Sequence, residues 1–295
     1  MPRAVKPMFV VQLIGGLGNQ MFQYALGRAL SLKFGVPLKL DISAYRTYRL
    51  HGYALSALRI VEDYASDEEV QMLRLAFEAR PLVERLLRRI MPRRRWVRER
   101  GFGFDATVLE TSPPAYLEGY WQSERYFKSC VEVLRREFQL RAKLDIANSE
   151  MGKRMSECES VALHVRRGDY VSDPTTNAVH GVCSMEYYEH AIALANARLV
   201  KPSFFIFSDD LAWAKDNLRT ACPSEFVDIN DPSRGYLDLH LMARCRHQII
   251  ANSTLSWWGA WLNPSATKMV IAPKRWFRRN DMDTRDLIPD GWLTI

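Results

Sequence analysis

Ser160-Val161-Ala162-Leu163-His164-Val165-Arg166-Arg167-Gly168-Asp169-Tyr170 opens as a short apolar run and then breaks into a histidine, two arginines and an aspartate. An apolar run of this kind reads as a buried strand. Charge at the carboxyl end of such a strand is where an open α/β sheet places its ligand. Arg166 and Arg167 offer planar, permanently charged donors that grip phosphate oxygens two at a time. The same residues also suit an ion-pair network with Asp169, which looks identical in sequence.

Working outward, the carboxyl half repeats one rhythm. Apolar strands are predicted over 161–165, 204–207, 226–229, 248–251 and 269–272, with helices over 185–198, 211–218, 236–244 and 255–262 between them. Alternation of this kind implies a parallel sheet covered on both faces. Parallel strands deliver their carboxyl ends to one rim, so the polar clusters that follow them should converge. These are His164, Arg166, Arg167 and Asp169 after the first strand, Ser208-Asp209-Asp210 after the second, and Asn252-Ser253-Thr254 after the fourth. Asn252, Ser253 or Thr254 can cap the tryptophan-bearing helix that follows, and the free N–H groups beyond the cap can bind a phosphate. An ordinary capped helix with its tryptophans in the core gives the same pattern. Asp209 or Asp210 suits a ribose or the N–H edge of guanine, or caps the next helix.

The amino half begins as a βαβ unit, with a strand over 8–13, a glycine-rich turn over 14–20, a helix over 21–34 and a strand over 36–40. Gly15-Gly16-Leu17-Gly18 is like a dinucleotide turn but lacks the full GxGxxG spacing, and Asp41 stands where a ribose binder would. At Gly16 and Gly18 the backbone can approach a ligand closely, and Asn19 and Gln20 offer side-chain hydrogen bonds. Beyond it, 44–143 is less regular. It holds a helix over 67–79, a Pro113-Pro114 break, and aromatic residues around 45–53 and 116–121 that suit either sugar stacking or core packing. A polar stretch over 142–160 carries the passage between two domains, 1–150 and 151–295.

Composition bounds the class. With 295 residues, 47% hydrophobic and 25% charged, the chain is an ordinary globular protein able to bury a large core. No 18-residue uncharged span and no signal-peptide pattern occur, which points to the cytosol. Five dispersed cysteines with no CxxC pair read as free thiols, neither a disulfide framework nor a zinc site. The net charge of +7 is uneven: eight arginines fall within 85–100, countered by Glu84 and Glu99. Such a block suits an anionic membrane surface, an acidic saccharide, nucleic acid or simple solvation. With Trp96 its sole aromatic residue, single-stranded nucleic acid is the weakest of these. Asp281-Met282-Asp283 matches a metal-binding Asp-x-Asp pair literally, yet lies in a polar tail away from any strand end.

Four motifs, GGLGNQMFQYA at 15–25, HVRRGDY at 164–170, FSDD at 207–210 and NSTLSWWGAWLN at 252–263, together resemble the α-1,2-fucosyltransferase family over nearly the whole chain. Similar motifs occur in α-1,6- and protein O-fucosyltransferases. The resemblance implies an α/β, GT-B-like fold of two Rossmann-type halves with the active site in the cleft between them. It further implies a GDP-fucose donor bound by 151–295, an acceptor-side domain over 1–150 with an irregular helical insertion, inversion at the fucose anomeric carbon, and no required metal or other cofactor. By similarity, Arg166 holds the β-phosphate, and His164 and Asp209 or Asp210 contact the nucleoside. Ser253 and Thr254 bind the diphosphate, and Asn19 faces the sugar and phosphate. Asp169 is either the general base or the residue that orients Arg166 or Arg167; Glu186 and Asp173 are weaker bases. The acceptor is a galactose-terminated oligosaccharide or lipid-linked glycan. Animal members carry an amino-terminal anchor that this sequence lacks, implying a bacterial enzyme at the inner face of the plasma membrane, with 85–100 near anionic lipid.

Overall fold

Both sheets of this protein are wholly parallel, as runs of short apolar strands separated by helices require. The structure, a computed structural model, describes residues 6–78 and 95–295. Contacts divide the chain into residues 1–141 with 285–287, and residues 142–284 with 288–295.

In the first unit, β1 (Phe9–Gln12), α1 (Leu17–Phe34) and β2 (Leu38–Asp41) form the βαβ start. They are followed by α2 (Asp67–Glu78), β3 (Arg95–Arg98), β4 (Ala115–Glu118) and α3 (Val131–Glu137). The sheet order is β2-β1-β4-β3. Met8, Val10, Val70, Leu73, Trp96 and Tyr116 pack together under α2. Glu137 takes two contacts from α1, the Arg28 guanidinium at 2.8 Å and the Tyr24 hydroxyl at 2.6 Å. α1 starts at Leu17 and not at 21, so Gly18, Asn19 and Gln20 form its first turn; Gly16, in extended backbone, is the residue before it.

The second unit opens with α4 (Ile146–Ser156) and β5 (Glu159–Val165). Next come α5 (Gly168–Ser172), α6 (Pro174–His180), α7 (Met185–Arg198), β6 (Pro202–Ser208), α8 (Leu211–Asn217) and β7 (Ser224–Phe226). It ends with α9 (Gly235–Arg244), β8 (His247–Ile249), α10 (Thr254–Leu262), β9 (Val270–Ala272) and β10 (Leu293–Thr294). The order is β10-β9-β8-β5-β6-β7. Side chains alternate across the pleat. Val161, Leu163, Phe204 and Ile206 pack against Tyr188, Ala191 and Ala195 of α7. Ala162, Phe205 and Phe207 pack on the other face against Met151 and Met155 of α4 and Leu241 and Met242 of α9. Because α4 joins this core, the division falls at 141, ahead of the expected 150. The strand expected over 226–229 runs instead over Ser224–Phe226, since the chain then turns away to place Asn230 against Asn148 and Asp238.

Candidate active site

β5 pairs with β6 on one side and β8 on the other, with Leu163 opposite both Ile206 and Ile249. The three clusters after these strands therefore emerge side by side on one rim. Arg166 stands between two carboxylates: its guanidinium meets Asp169 at 2.6 Å and Asp209 at 3.1 Å. Its side chain keeps only 20% of its exposure. Burial works against the charge, but Asp209 and Asp169 outweigh it and hold the guanidinium pKa above its ordinary value. Arg167 faces differently. Its backbone N–H donates to Asp209 at 2.8 Å, while its side chain reaches Asp210 at 3.1 Å and stacks 4.0 Å from the Trp213 ring. Asp210 also caps α8, accepting from the Trp213 N–H at 3.1 Å. Gly168 is what lets the carboxylate in, since a Cβ there would lie 2.5 Å from an Asp209 oxygen.

Arg166 and Arg167 against Asp169, Asp209 and Asp210 leave the cluster with a formal charge of −1, so it is not cationic. Further positive potential for an anion comes from the amino end of α10, where Ser253 is the cap position but makes no side-chain capping bond. Thr254 is the first residue of the helix. Trp257, Trp258 and Trp261 anchor it, with ring centroids 4.9 and 5.1 Å apart along the chain and all three buried. Tyr170 joins the two sides: its hydroxyl donates to the Asn252 carbonyl at 3.3 Å and its ring lies 5.3 Å from the Arg166 guanidinium. His180 stacks on Tyr170 at 4.7 Å and 14°.

His164 is 5% exposed, and its Nδ1 has no hydrogen-bond partner. Burial first, and then the Arg166 charge, push its pKa down to about 3, so the ring is neutral at physiological pH. A neutral imidazole with an unused ring nitrogen fits an uncharged donor or acceptor on a ligand. Asn252, by contrast, is committed to the fold. Its amide donates to the carbonyls of His180, Gly181 and Trp276 at 3.1–3.2 Å, and its oxygen accepts from the Cys183 thiol. Beside the Tyr170–His180 stack opens a cleft of about 590 Å³, bordered by Asn177, Glu186, Lys274, Phe277 and Arg278.

Gly16, Gly18, Asn19 and Gln20 lie together in the first unit. The Gln20 side chain is fully enclosed, donating to the Gly15 and Gly52 carbonyls and accepting from the Ala54 N–H, each at 2.9 Å. Asn19 accepts from the Gln122 amide at 2.9 Å. Of the basic block, 85–94 lies outside the described residues. Trp96 is a core residue, its indole donating to Glu118 at 2.7 Å, and Arg98 stacks on it at 3.7 Å. Asp281 pairs with Arg279, and no cluster of metal-ligating side chains occurs among the described residues.

Sequence reading missed Asp238. Burial raises its carboxyl pKa to about 6 against one opposing hydrogen bond from Asn230, at 2.8 Å. Its signal is an acid within the otherwise apolar Leu237-Asp238-Leu239 stretch of α9.

Comparison with known proteins places the chain. The model for glycosyl transferase family 11 matches residues 67–295. An α-1,2-colitosyltransferase of Escherichia coli is 34% identical over 97% of this chain and 98% of its own. The O-antigen biosynthesis glycosyltransferase WbnK of Escherichia coli is 30% identical over 96% and 99%, and galactoside α-(1,2)-fucosyltransferase 2 of Gorilla gorilla gorilla 24% identical over 90% and 72%. A GDP complex of a mutant Arabidopsis thaliana FUT1 superposes with a TM-score of 0.53 at 10% identity, covering 91% of this chain and 72% of that one. The likeness is one of fold, and the fold is the expected GT-B-like α/β type. On the family match and the full-length relatives, this chain is a member of glycosyl transferase family 11.

Proposed function

We propose that the protein transfers a 6-deoxy-L-sugar, L-fucose in the first reading, from its GDP ester to the 2-hydroxyl of a terminal galactose. The bond from the sugar's anomeric carbon to GDP breaks, a bond to the galactose oxygen forms on the opposite face, and the hydroxyl proton passes to solvent as GDP departs with the bonding electron pair. The observation that carries this reading is the half-buried Arg166 guanidinium, held between Asp169 and Asp209 next to the strand whose end feeds the uncapped amino end of α10. As the sugar–oxygen bond breaks in an oxocarbenium-like state, negative charge grows on the departing diphosphate. Fixed donors aimed at that charge stabilise the transition state more than the bound substrate. Ser253 and Thr254 bring hydroxyls and backbone N–H groups to the same task. Neutral His164 meets the nucleoside without adding charge. With Asp169 bound to Arg166 at 2.6 Å, its place in this reading is to orient the guanidinium.

A second reading follows from the colitosyltransferase relative, 34% identical along nearly the whole chain. Colitose is fucose without its 3-hydroxyl. A site that hydrogen-bonds this hydroxyl rejects the deoxy donor by about 10⁴-fold, whereas a site that ignores it separates the two only weakly. The test is GDP release with GDP-fucose, GDP-colitose, UDP-sugars and CMP-sugars, using lactose, N-acetyllactosamine and the β1,3-linked isomer as acceptors. Turnover of a GDP-6-deoxy sugar with transfer to the galactose 2-hydroxyl is expected; turnover of only UDP- or CMP-sugars would overturn the donor class. We also propose that arginine and helix N–H groups supply all the positive charge needed, so activity should persist in excess EDTA. Loss restored by Mn²⁺ would refute that.

A further inference from the structure

Tyr120 is 41% exposed, whereas Tyr116, Trp121 and Tyr126 around it are buried. The local structure is built to hold this ring outward. β3 and β4 pair with Arg98 opposite Glu118, which brings Glu99 alongside the Gly119–Gln122 turn at the carboxyl ends of these strands. One Glu99 oxygen accepts the Tyr120 N–H at 2.8 Å and the other accepts the Trp121 N–H at 2.9 Å. Burial raises the Glu99 pKa, and these two N–H groups pull against it. A carboxylate is thus kept in a poorly solvated place to fix one turn. Gly119 admits no side chain, since a Cβ would lie 2.4 Å from that of Glu99, and its carbonyl accepts from Gln23 at 3.1 Å. Trp121 adopts φ 57°, a left-handed conformation unfavourable for an aromatic residue. A non-glycine residue forced to positive φ, a glycine-only position and a desolvated carboxylate all serve the placement of one exposed ring.

The surroundings are aromatic and polar. The Tyr45 hydroxyl donates to the Gly15 carbonyl at 2.8 Å and lies within electrostatic reach of Tyr48 and Tyr120. Tyr45 and Tyr48 meet edge-on at 6.2 Å, and His51 lies 6.3 Å beyond Tyr48. A Cβ on Gly16 would come 3.5 Å from the His51 ring. Gln122, beside Asn19, carries a buried oxygen with no partner. Flat rings flanked by hydroxyls and amides suit a neutral, polyhydroxylated ligand with one apolar face. β-Galactose has such a face: its axial 4-hydroxyl leaves the C–H groups at positions 3, 4 and 5 on one side of the ring.

We propose that Tyr120 is the stacking platform for the acceptor's terminal galactose, and that Glu99 is the positioning residue that holds it. This rests on the galactoside reading above. Tyr120→Ala is expected to raise KM for the galactoside about tenfold or more, while GDP-sugar hydrolysis without acceptor and KM for the donor stay unchanged. Tyr120→Trp should keep the acceptor KM within about threefold. Glu99→Gln retains one oxygen acceptor but turns an N–H₂ toward the second backbone donor, so it should raise acceptor KM by a smaller factor with donor hydrolysis intact. Independently of turnover, saturation-transfer NMR on lactose should show H3, H4 and H5 of galactose receiving magnetisation from the wild type and losing it in Tyr120→Ala. An unchanged acceptor KM together with an unchanged transfer pattern in Tyr120→Ala would overturn the platform. Failure of the donor reading would show instead as absent GDP release in the wild type, with the NMR contrast unaffected.

Discussion

Two helix starts in this protein follow the carboxyl ends of parallel strands, and they are secured by opposite chemistry. The amino end of α1 is held by amides: Gln20 ties Gly15, Gly52 and Ala54 together, and Gln23 bridges the Ile14 N–H and the Gly119 carbonyl. The amino end of α10 is held by packing, with three tryptophans wedged beneath it and no side-chain cap above. The difference extends to what each rim offers a ligand. Around α1 stand tyrosines and carboxamides; around α10 stand Arg166, Arg167 and a helix start with no side-chain cap. Neither helix start carries a side-chain cap, so the two differ in what surrounds them: carboxamides that pin neighbouring loops at α1, and a charged rim at α10.

The sharpest way to break the contrast is to remove the anchor. Trp258→Ala is expected to destabilise the protein by about 3–5 kcal/mol, the range for truncating a buried aromatic residue, measured by urea denaturation. A loss below about 1 kcal/mol would show that α10 is held by something other than its tryptophans. Next in size is Arg166→Ala. Removing one preorganised charge-stabilising donor is expected to lower kcat by about 10²- to 10³-fold. Its effect on stability should be small, because the side chain is a functional group set between Asp169 and Asp209 and not a core element. A variant keeping more than half of wild-type kcat would dissociate the charged rim from catalysis.

What could be read in the residues themselves follows the same division. β5, β6 and α7 were legible because their apolar patterns are strong, and α7 runs over Met185–Arg198 as expected. Asp209 and Asp210 read alike as a helix cap or a nucleoside contact; the structure makes Asp210 the cap and also the partner of Arg167, a pairing the sequence did not signal. β3 was hidden because a four-residue strand inside an arginine run has no apolar signature; Trp96, the sole aromatic residue of that run, is a core residue. α6 carried a clear start, Asp173 before Pro174, with Asp173 accepting from the Thr175 and Thr176 N–H groups. Its brevity concealed it. The two roles of Asn19 and Gln20 could not be separated from sequence, since a ligand-binding amide and a loop-pinning amide are the same residue type. Asn252 illustrates the limit most plainly: its amide meets carbonyls from segments 71, 72 and 24 residues away.

Asp238 gives the smallest expected effect, and it tests whether an uncompensated charge near α4 lowers the stability of the second unit. Burial raises the folded-state pKa from an ordinary 3.8 to about 6, opposed by the Asn230 amide. A group whose folded pKa is raised contributes its stability fully below the unfolded value and loses it as pH rises through the folded value. Asp238 therefore carries no penalty near pH 4, weakens the fold progressively toward pH 6, and reaches a plateau above it. The shift corresponds to at most about 3 kcal/mol, at 1.36 kcal/mol per pKa unit. Asp238→Asn keeps an oxygen to accept from Asn230 and cannot ionise. Its advantage over the wild type in urea midpoint should be near zero at pH 4 and positive by pH 7 to 8. A difference that stays constant across this range would mean that shape, and not ionisation, sets the energetics at this position, leaving Arg166 and its acids as the charged centre of the second unit that matters.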